Sequence, residues 1–230
     1  MKKLLLGFSL LLLSCGIPSY KYLDPPDVLT VGNGQFYETK FRNNTENDPG
    51  VFKGYRLFYR FYRTEGPINT IRKQIDRTDF GGAQRLKRTG FKELYIENRY
   101  ALIIGPNHKK KKIEVFIDFT DDVYSQGEDF NSFLTVSLNG NEISRYTICR
   151  RISQTRINKN QTKEISRSFN PQDFTEDDSD IPKSTNNGFQ FGDDLHMALF
   201  AVAFGWDDNV IPVYSKPAFL GTFKFKTNSH

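Results

Sequence analysis

Residues 52–63 read FKGYRLFYRFYR, the strongest indication in the chain of a β fold. Its side chains alternate with the period of two that is typical of a β-strand, in which successive residues point to opposite faces. One face is entirely apolar or aromatic and consists of Tyr55, Leu57, Tyr59 and Phe61. The other face mixes arginine with aromatic residues, namely Arg56, Phe58, Arg60 and Tyr62. We therefore predict a β-strand over residues 52–63.

The middle of the chain predicts a hairpin and a strand beside it. Residues 133–138 and 141–152 flank Asn139-Gly140, a dipeptide that supplies the two positive φ values of a tight type I′ turn. Residues 113–120 show the clearest period of two in the chain. Their inward face consists of Ile113, Val115, Ile117 and Phe119.

The last part of the chain predicts a central strand and a terminal strand. Residues 195–204 (LHMALFAVAF) are apolar on both faces, as expected of a strand that is covered on both sides. Residues 219–226 alternate again, and one of their faces consists of Phe219, Gly221, Phe223 and Phe225. The abundance of Phe (21) and Tyr (11) beside only 2 Met also favours strands over helix bundles.

Two segments depart from the strand pattern. Within residues 64–112, Ile68, Ile71 and Ile75 lie at helical spacing, and residues 79–90 predict a second short helix before strand character returns at 94–104. Residues 170–188 (NPQDFTEDDSDIPKSTNNG) are polar and acidic, which predicts a long exposed loop.

Several of these segments are similar to strands of a fibronectin type III domain. Residues 24–41 and 52–60 resemble strands A, B and C, with GYRLFY at 54–59 as the best match. Residues 199–205 and 214–219 resemble strands F and G, including the Ser-Lys-Pro that opens the last strand. The resemblance implies a mainly β protein, an antiparallel β-sandwich of the fibronectin type III or immunoglobulin-like kind. Residues 64–112 then form a large central insertion with short helices and extra strands.

The start of the chain resembles the lipobox leader of bacterial lipoproteins. Two lysines precede apolar residues 4–13, and the small residue Ser14 precedes Cys15. The resemblance implies cleavage before Cys15 and a diacylglycerol on its thiol. The apolar run has about half of the ~20 residues that a membrane-spanning helix needs. An ordinary secretory signal followed by a chance cysteine is the alternative.

These features predict the organisation of the chain. A lipoprotein signal peptide covers residues 1–14, a short tether covers 15–26, and a single β-sandwich domain covers 27–230. The lipobox, the fibronectin-like ends and the divergent middle together resemble a group of spirochaetal lipoproteins of unknown function. The expected location is the cell envelope, with the outer membrane or the cell surface favoured.

The composition of the chain argues against nucleic-acid binding, an intramolecular disulfide and a cofactor required for folding. Without residues 1–14 the chain has 30 Lys and Arg against 27 Asp and Glu, a balance too even to indicate nucleic-acid binding. The only cysteines are Cys15 and Cys149, so a lipidated Cys15 excludes an intramolecular disulfide. No cofactor is needed to explain folding of a core this large.

Two aromatic residues are the candidates for ligand contact. Trp206 directly follows the predicted central strand, and Tyr214 lies a few residues later. Exposed aromatic side chains at the loop end of a sandwich can stack on sugars or anchor a protein partner. They can equally close the end of the sandwich as a hydrophobic plug. The four lysines at 109–112 could contact anionic lipid headgroups if the fold and the tether direct them at the bilayer. Otherwise they form a solvated turn.

The sequence contains no pattern typical of a catalytic or metal site. His108 lies beside the lysine run and His196 lies within the apolar strand, with no ligand spacing around either. The acidic residues around 176–180 predict solvated loop charge, and Cys149 predicts a half-buried structural cysteine. We therefore expect no catalytic, cofactor or metal residues.

The expected function is that of a lipid-anchored, non-catalytic binding or adhesion module exposed at the cell surface. Its partners are then the membrane, through Cys15, and a protein or glycan ligand. A periplasm-facing envelope scaffold is the first alternative. An enzyme that acts on envelope polymers is the second.

Overall fold

The structure, a computed structural model, describes residues 21–34, 36–77, 82–97, 99–120, 132–155, 162–175, 178–183 and 194–227. The strands of these residues are β1 (Asp27–Thr30), β2 (Gly32–Asn33), β3 (Glu38–Arg42), β4 (Phe52–Tyr62), β5 (Lys92–Glu93), β6 (Tyr95–Ile96), β7 (Leu102–Ile103), β8 (Ile113–Asp118), β9 (Ser132–Leu138), β10 (Asn141–Thr155), β11 (Thr162–Arg167), β12 (Asp194–Trp206), β13 (Pro212–Tyr214) and β14 (Ala218–Lys226). The helices are α1 (Gly66–Arg77) and α2 (Gly82–Arg88), with 3-10 turns at Pro106–His108 and Pro171–Asp173. The predicted leader and Cys15 lie outside the described residues.

The strands form two sheets that pack as a sandwich. The first sheet has the order β1-β3-β8-β9-β10-β11, with β6 also paired to β10. The second sheet has the order β2-β14-β12-β4-β5, with β13 paired to β12 and β7 paired to β4. The recorded pairings are antiparallel except that of β2 with β14. The expectation of a mainly β sandwich is confirmed.

Strand β4 has the two faces that its sequence predicts. Tyr55, Leu57, Tyr59 and Phe61 all lie in the core between the sheets. Phe58 and Tyr62 belong to a second apolar cluster on the outer face of the same sheet. Both faces of β4 are therefore buried, one against the first sheet and the other in the outer cluster.

Helices α1 and α2 form a third layer over the second sheet. The predicted helical stripe is confirmed, because Ile68, Ile71 and Ile75 are buried in the outer cluster against Phe58 and Phe200. This layer explains why β12 is apolar on both faces, since one face contacts the first sheet and the other contacts the helices.

The middle of the chain extends the first sheet. The predicted hairpin is confirmed: β9 pairs with β10 through a turn in which Asn139 (φ 52°) and Gly140 (φ 80°) are both left-handed. Strand β8 pairs with both β3 and β9, and its predicted inward side chains are buried. These extra strands mean that strand order alone does not establish a fibronectin type III identity.

One predicted face is wrong at the start of β14. Leu199 pairs with Gly221 and Phe200 pairs with Phe219, so Leu220 is an extra residue that bulges from the strand. Phe219 therefore packs against the outer cluster, whereas Phe223 and Phe225 point into the core as predicted. Gly221, next to the bulge, lets β2 approach β14 closely, because a Cβ there would lie 2.4 Å from the backbone nitrogen of Gly32.

The prediction of a long exposed loop over residues 170–188 is wrong for the part that the structure describes. Phe174, Asp178 and Ile181 are buried. The segment folds back because Arg150, an arginine of β10 with a wholly inaccessible side chain, binds the carboxylates of Asp178 and Asp180. Glu176 and Asp177 lie outside the described residues.

Candidate functional site

Four segments meet at one end of the sandwich, which we call the Lys21 end. They are residues 21–24, the β3–β4 loop at 43–51, the turn at 105–112 and the β12–β13 turn at 206–212. The β3–β4 loop is their common neighbour. This end is therefore where the chain enters its described fold.

Hydrogen bonds fix the N-terminal segment at this end. The backbone N–H of Asp24 donates to the Asn47 side chain at 2.7 Å, and the Asn47 amide donates back to the Asp24 carbonyl at 3.1 Å. Leu23 is buried in the core between the sheets. Lys21 forms an ion pair with Asp208 at 2.8 Å. The position at which any preceding tether emerges is thereby fixed.

The lysine run lies at the same end. Lys109 Nζ donates to the Pro49 carbonyl at 2.6 Å, and Lys110 Nζ donates to the Thr45 carbonyl at 2.9 Å. Burial, reinforced by the nearby Lys53 ammonium, lowers the pKa of Lys109. Lys110, Lys111 and Lys112 have exposed side chains.

The β12–β13 turn presents an apolar tip to solvent. The side chains of Trp206, Val210 and Ile211 are 39%, 75% and 57% exposed. The Asp207 carboxylate organises the turn, because it accepts the backbone N–H groups of Asn209 at 2.9 Å and Ile211 at 2.8 Å. Val210 has φ +62°, a left-handed conformation that is strained for a β-branched residue.

The structure separates the two predicted ligand-contact residues. The Tyr214 ring is half-buried against the outer cluster, and the Arg56 guanidinium lies 6.0 Å from its centroid. The Trp206 ring packs edge-to-face against the Phe204 ring, with 5.9 Å between the ring centroids. Tyr214 therefore belongs to the packing of the second sheet, whereas Trp206 retains a surface that can contact a partner.

The opposite end of the sandwich holds the buried ionic cluster that sequence analysis missed. Arg150 Nη1 and Nη2 donate to Asp178 at 3.0 Å, and Nη1 also donates to Asp180 at 2.9 Å. The Tyr59 hydroxyl donates to Asp180 at 2.8 Å. Burial raises the pKa of Asp180, although the Arg150 charge and the Tyr59 hydrogen bond oppose this shift.

This cluster has the properties of a structural clamp. Arg150 and both carboxylates have side chains that are at most 1% accessible, so a substrate has no access to them. The Arg150 guanidinium also lies 4.3 Å from the centroid of the Phe174 ring. The one sequence signal that could have located it is Arg150 itself, which falls on the same strand face as the apolar Ile148 and Ile152.

The remaining candidates do not come together as a reactive site. His196 lies on β12 with Nδ1 3.4 Å from a Glu65 carboxylate oxygen, and His108 is on the turn beside the lysine run. Cys149 is half-buried, as predicted. In the part of the chain that the structure describes, no group of three or more His, Cys, Asp or Glu side chains is placed to hold a metal ion.

Scans of family models, curated proteins and solved structures find no match to this chain. None of the helices in the described ranges is both long and apolar enough to cross a membrane.

Proposed function

We propose that this protein is an exported lipoprotein, acylated at Cys15, whose β-sandwich is a non-catalytic binding or adhesion module at the cell surface. The lipobox-like leader supports the anchor. The observation that carries the proposal is the fixed position of residues 21–24 at the Lys21 end. Only residues 16–20 separate Cys15 from Lys21, and a fully extended chain of this length spans at most about 21 Å. A lipid on Cys15 would therefore hold this end close to the bilayer.

The helical layer is the surface we propose for ligand binding. It flanks the sandwich and stays accessible when the Lys21 end faces a bilayer. Its exposed basic side chains are Arg72, Lys73, Arg85, Lys87 and Arg88. Lys87 is paired with Glu93 at 2.7 Å, and by sequence the two helices contain one acidic residue, Asp76, so basic residues outnumber acidic ones on this layer. Such a surface suits a ligand with clustered negative charge.

The anchor is tested by replacing each cysteine in turn. Cys15→Ala is expected to move the protein from the detergent phase to the aqueous phase of a Triton X-114 extraction and to block normal processing. Cys149→Ala is the matched control, because it removes the other thiol from a half-buried strand position. Unchanged partitioning of the Cys15 variant would remove the basis of the lipoprotein proposal.

Exposure at the surface is tested by protease treatment of intact and lysed cells, with a periplasmic protein as the marker of envelope integrity. The proposal predicts loss of the protein from intact cells while the marker survives. Protection until lysis would instead support the periplasm-facing scaffold.

A further inference from the structure

We infer that the Lys21 end is itself a membrane-docking surface: Trp206, Val210 and Ile211 enter the headgroup region of an anionic bilayer, and Lys110, Lys111 and Lys112 contact its phosphates. This inference deepens the proposed function and rests on its lipid anchor. It adds that the domain rests on the membrane in one orientation instead of swinging on its tether.

The position of the tether selects the bilayer as the occupant of this surface. The segment that leads back to Cys15 is fixed to the β3–β4 loop through Asn47 and to the β12–β13 turn through Asp208. The apolar tip at 206–211 and the lysine run therefore lie beside the point where the lipid would hold the chain. A second macromolecule would have to enter the narrow space between this end and the membrane.

The apolar tip has the composition of an interfacial anchor. Tryptophan is enriched at membrane–water interfaces because its ring is apolar and its indole N–H is polar. Val210 is both 75% exposed and left-handed, and each property disfavours valine in water. A small polar residue would fit this turn position better, so the side chain is explained by contact with something apolar.

The acidic charge near the tip is partly neutralised by the protein itself. Asp208 is paired with Lys21, whereas Asp207 accepts two backbone N–H groups of its own turn and keeps its negative charge. Asp48 accepts the backbone N–H of Gly50 at 2.8 Å and lies 3.9 Å from Lys21. The carboxylates that oppose docking are therefore Asp207, Glu46 in the β3–β4 loop and Glu142 beside the β9–β10 turn, and the last two are exposed.

Among the described residues, Lys110, Lys111 and Lys112 have no acidic partner comparable to the one that Lys21 has in Asp208. Lys110 donates to a backbone carbonyl, which leaves its charge uncompensated, and no ion pair is recorded for Lys111 or Lys112 within the described ranges. Uncompensated lysines near an anionic surface each strengthen attachment by about fivefold.

The test uses the only tryptophan of the chain as a depth reporter. Full-length protein, as processed in cells and extracted from their membranes, is reconstituted into phosphatidylglycerol/phosphatidylethanolamine vesicles that contain brominated lipid. We expect quenching of Trp206 that is strongest for bromines at shallow acyl positions, since interfacial segments lie about 5–10 Å deep. An unquenched Trp206 on protein that floats with the vesicles overturns the inference and leaves the tip for a protein or glycan ligand.

Two pairs of variants locate the contact. Val210→Asn should reduce the quenching without lowering the melting temperature, because asparagine tolerates the left-handed conformation. Phe36→Ser is its control, since Phe36 is an exposed aromatic residue close to the opposite end and should leave quenching unchanged. Equal loss of quenching in both variants would contradict a docking tip at residue 210.

The second pair separates local from overall charge. Replacing Lys110, Lys111 and Lys112 together by glutamine should reduce quenching and abolish its increase with phosphatidylglycerol content. The same change at Lys163, Lys183 and Lys226, which are exposed lysines outside both the Lys21 end and the helical layer, alters net charge equally and should leave the increase intact. Flotation of the protein reports the anchor separately: absence of flotation contradicts the proposed lipoprotein, whereas flotation without quenching contradicts docking alone.

Discussion

Replacing Arg150 with methionine tests whether the segment around Asp178 is held by a buried ion cluster. The Arg150 side chain is inaccessible to solvent, and its guanidinium donates three hydrogen bonds of 2.9–3.0 Å to Asp178 and Asp180. Its Nε donates a further bond of 2.8 Å to the Ser168 carbonyl. Methionine keeps much of the apolar volume but leaves two carboxylates buried without a cation.

The expected decrease in the free energy of unfolding follows from the loss of that cation. Removal of one partner from a buried ion pair lowers the free energy of unfolding by about 3–5 kcal/mol. For a domain of this size that corresponds to a fall in melting temperature of roughly 10 °C. The neighbouring Arg151→Met is the matched control, because Arg151 pairs with the exposed Glu164 at 3.2 Å. Its cost should not exceed about 1 kcal/mol.

Urea unfolding followed by circular dichroism measures both variants. The sign of the pH dependence is also fixed. Burial raises the pKa of Asp180, so a folded state without Arg150 binds protons more tightly than the unfolded chain does. The Arg150→Met variant should therefore regain stability as the pH falls towards the ordinary range of aspartate. Adding Asp178→Asn and Asp180→Asn should restore much of the loss at neutral pH. A cost no larger than that of Arg151→Met would refute the clamp.

Three further changes test the rest of the fold, each by urea unfolding. Val210→Asn should raise the free energy of unfolding by about 1 kcal/mol, because it relieves a left-handed valine; a clear loss would mean that the valine is not strained. Ile71→Ala should lower the free energy of unfolding by about 2–5 kcal/mol, because α1 packs on the outer face of the second sheet; an unchanged free energy of unfolding would contradict that packing. Gly205→Ala should cost about 3 kcal/mol, since its Cβ would lie 1.9 Å from the Val51 carbonyl oxygen; wild-type stability would argue against this close strand contact.

The strands and helices that sequence analysis predicted are those whose signal is local. The alternation of β4, the Asn139-Gly140 turn and the isoleucine stripe of α1 each depend on neighbours within a few positions, and all three are confirmed. The bulge that turns Phe219 outward could not be predicted. It depends on the register between β14 and β12, in which Leu220 has no partner, and the alternation within residues 219–226 carries no sign of this.

Individual residues of the candidate site could be predicted from the sequence, but their proximity could not. Trp206 was identified because it follows an apolar strand, and the lysine run was identified by its composition. Their meeting beside Lys21 depends on the β3–β4 loop, which carries no functional signal of its own. The Arg150 cluster was missed because its acidic partners lie 28 and 30 residues away, in a segment whose composition is typical of a loop.

Whether the protein is anchored through Cys15 is measured by the mass of the N-terminal peptide of the protein isolated from cell membranes. If the protein is a lipoprotein, its mature chain begins at Cys15 and this first residue carries the added mass of a diacylglycerol. A mature chain that begins elsewhere, or one whose Cys15 is unmodified, would contradict both the anchor and the orientation derived from it.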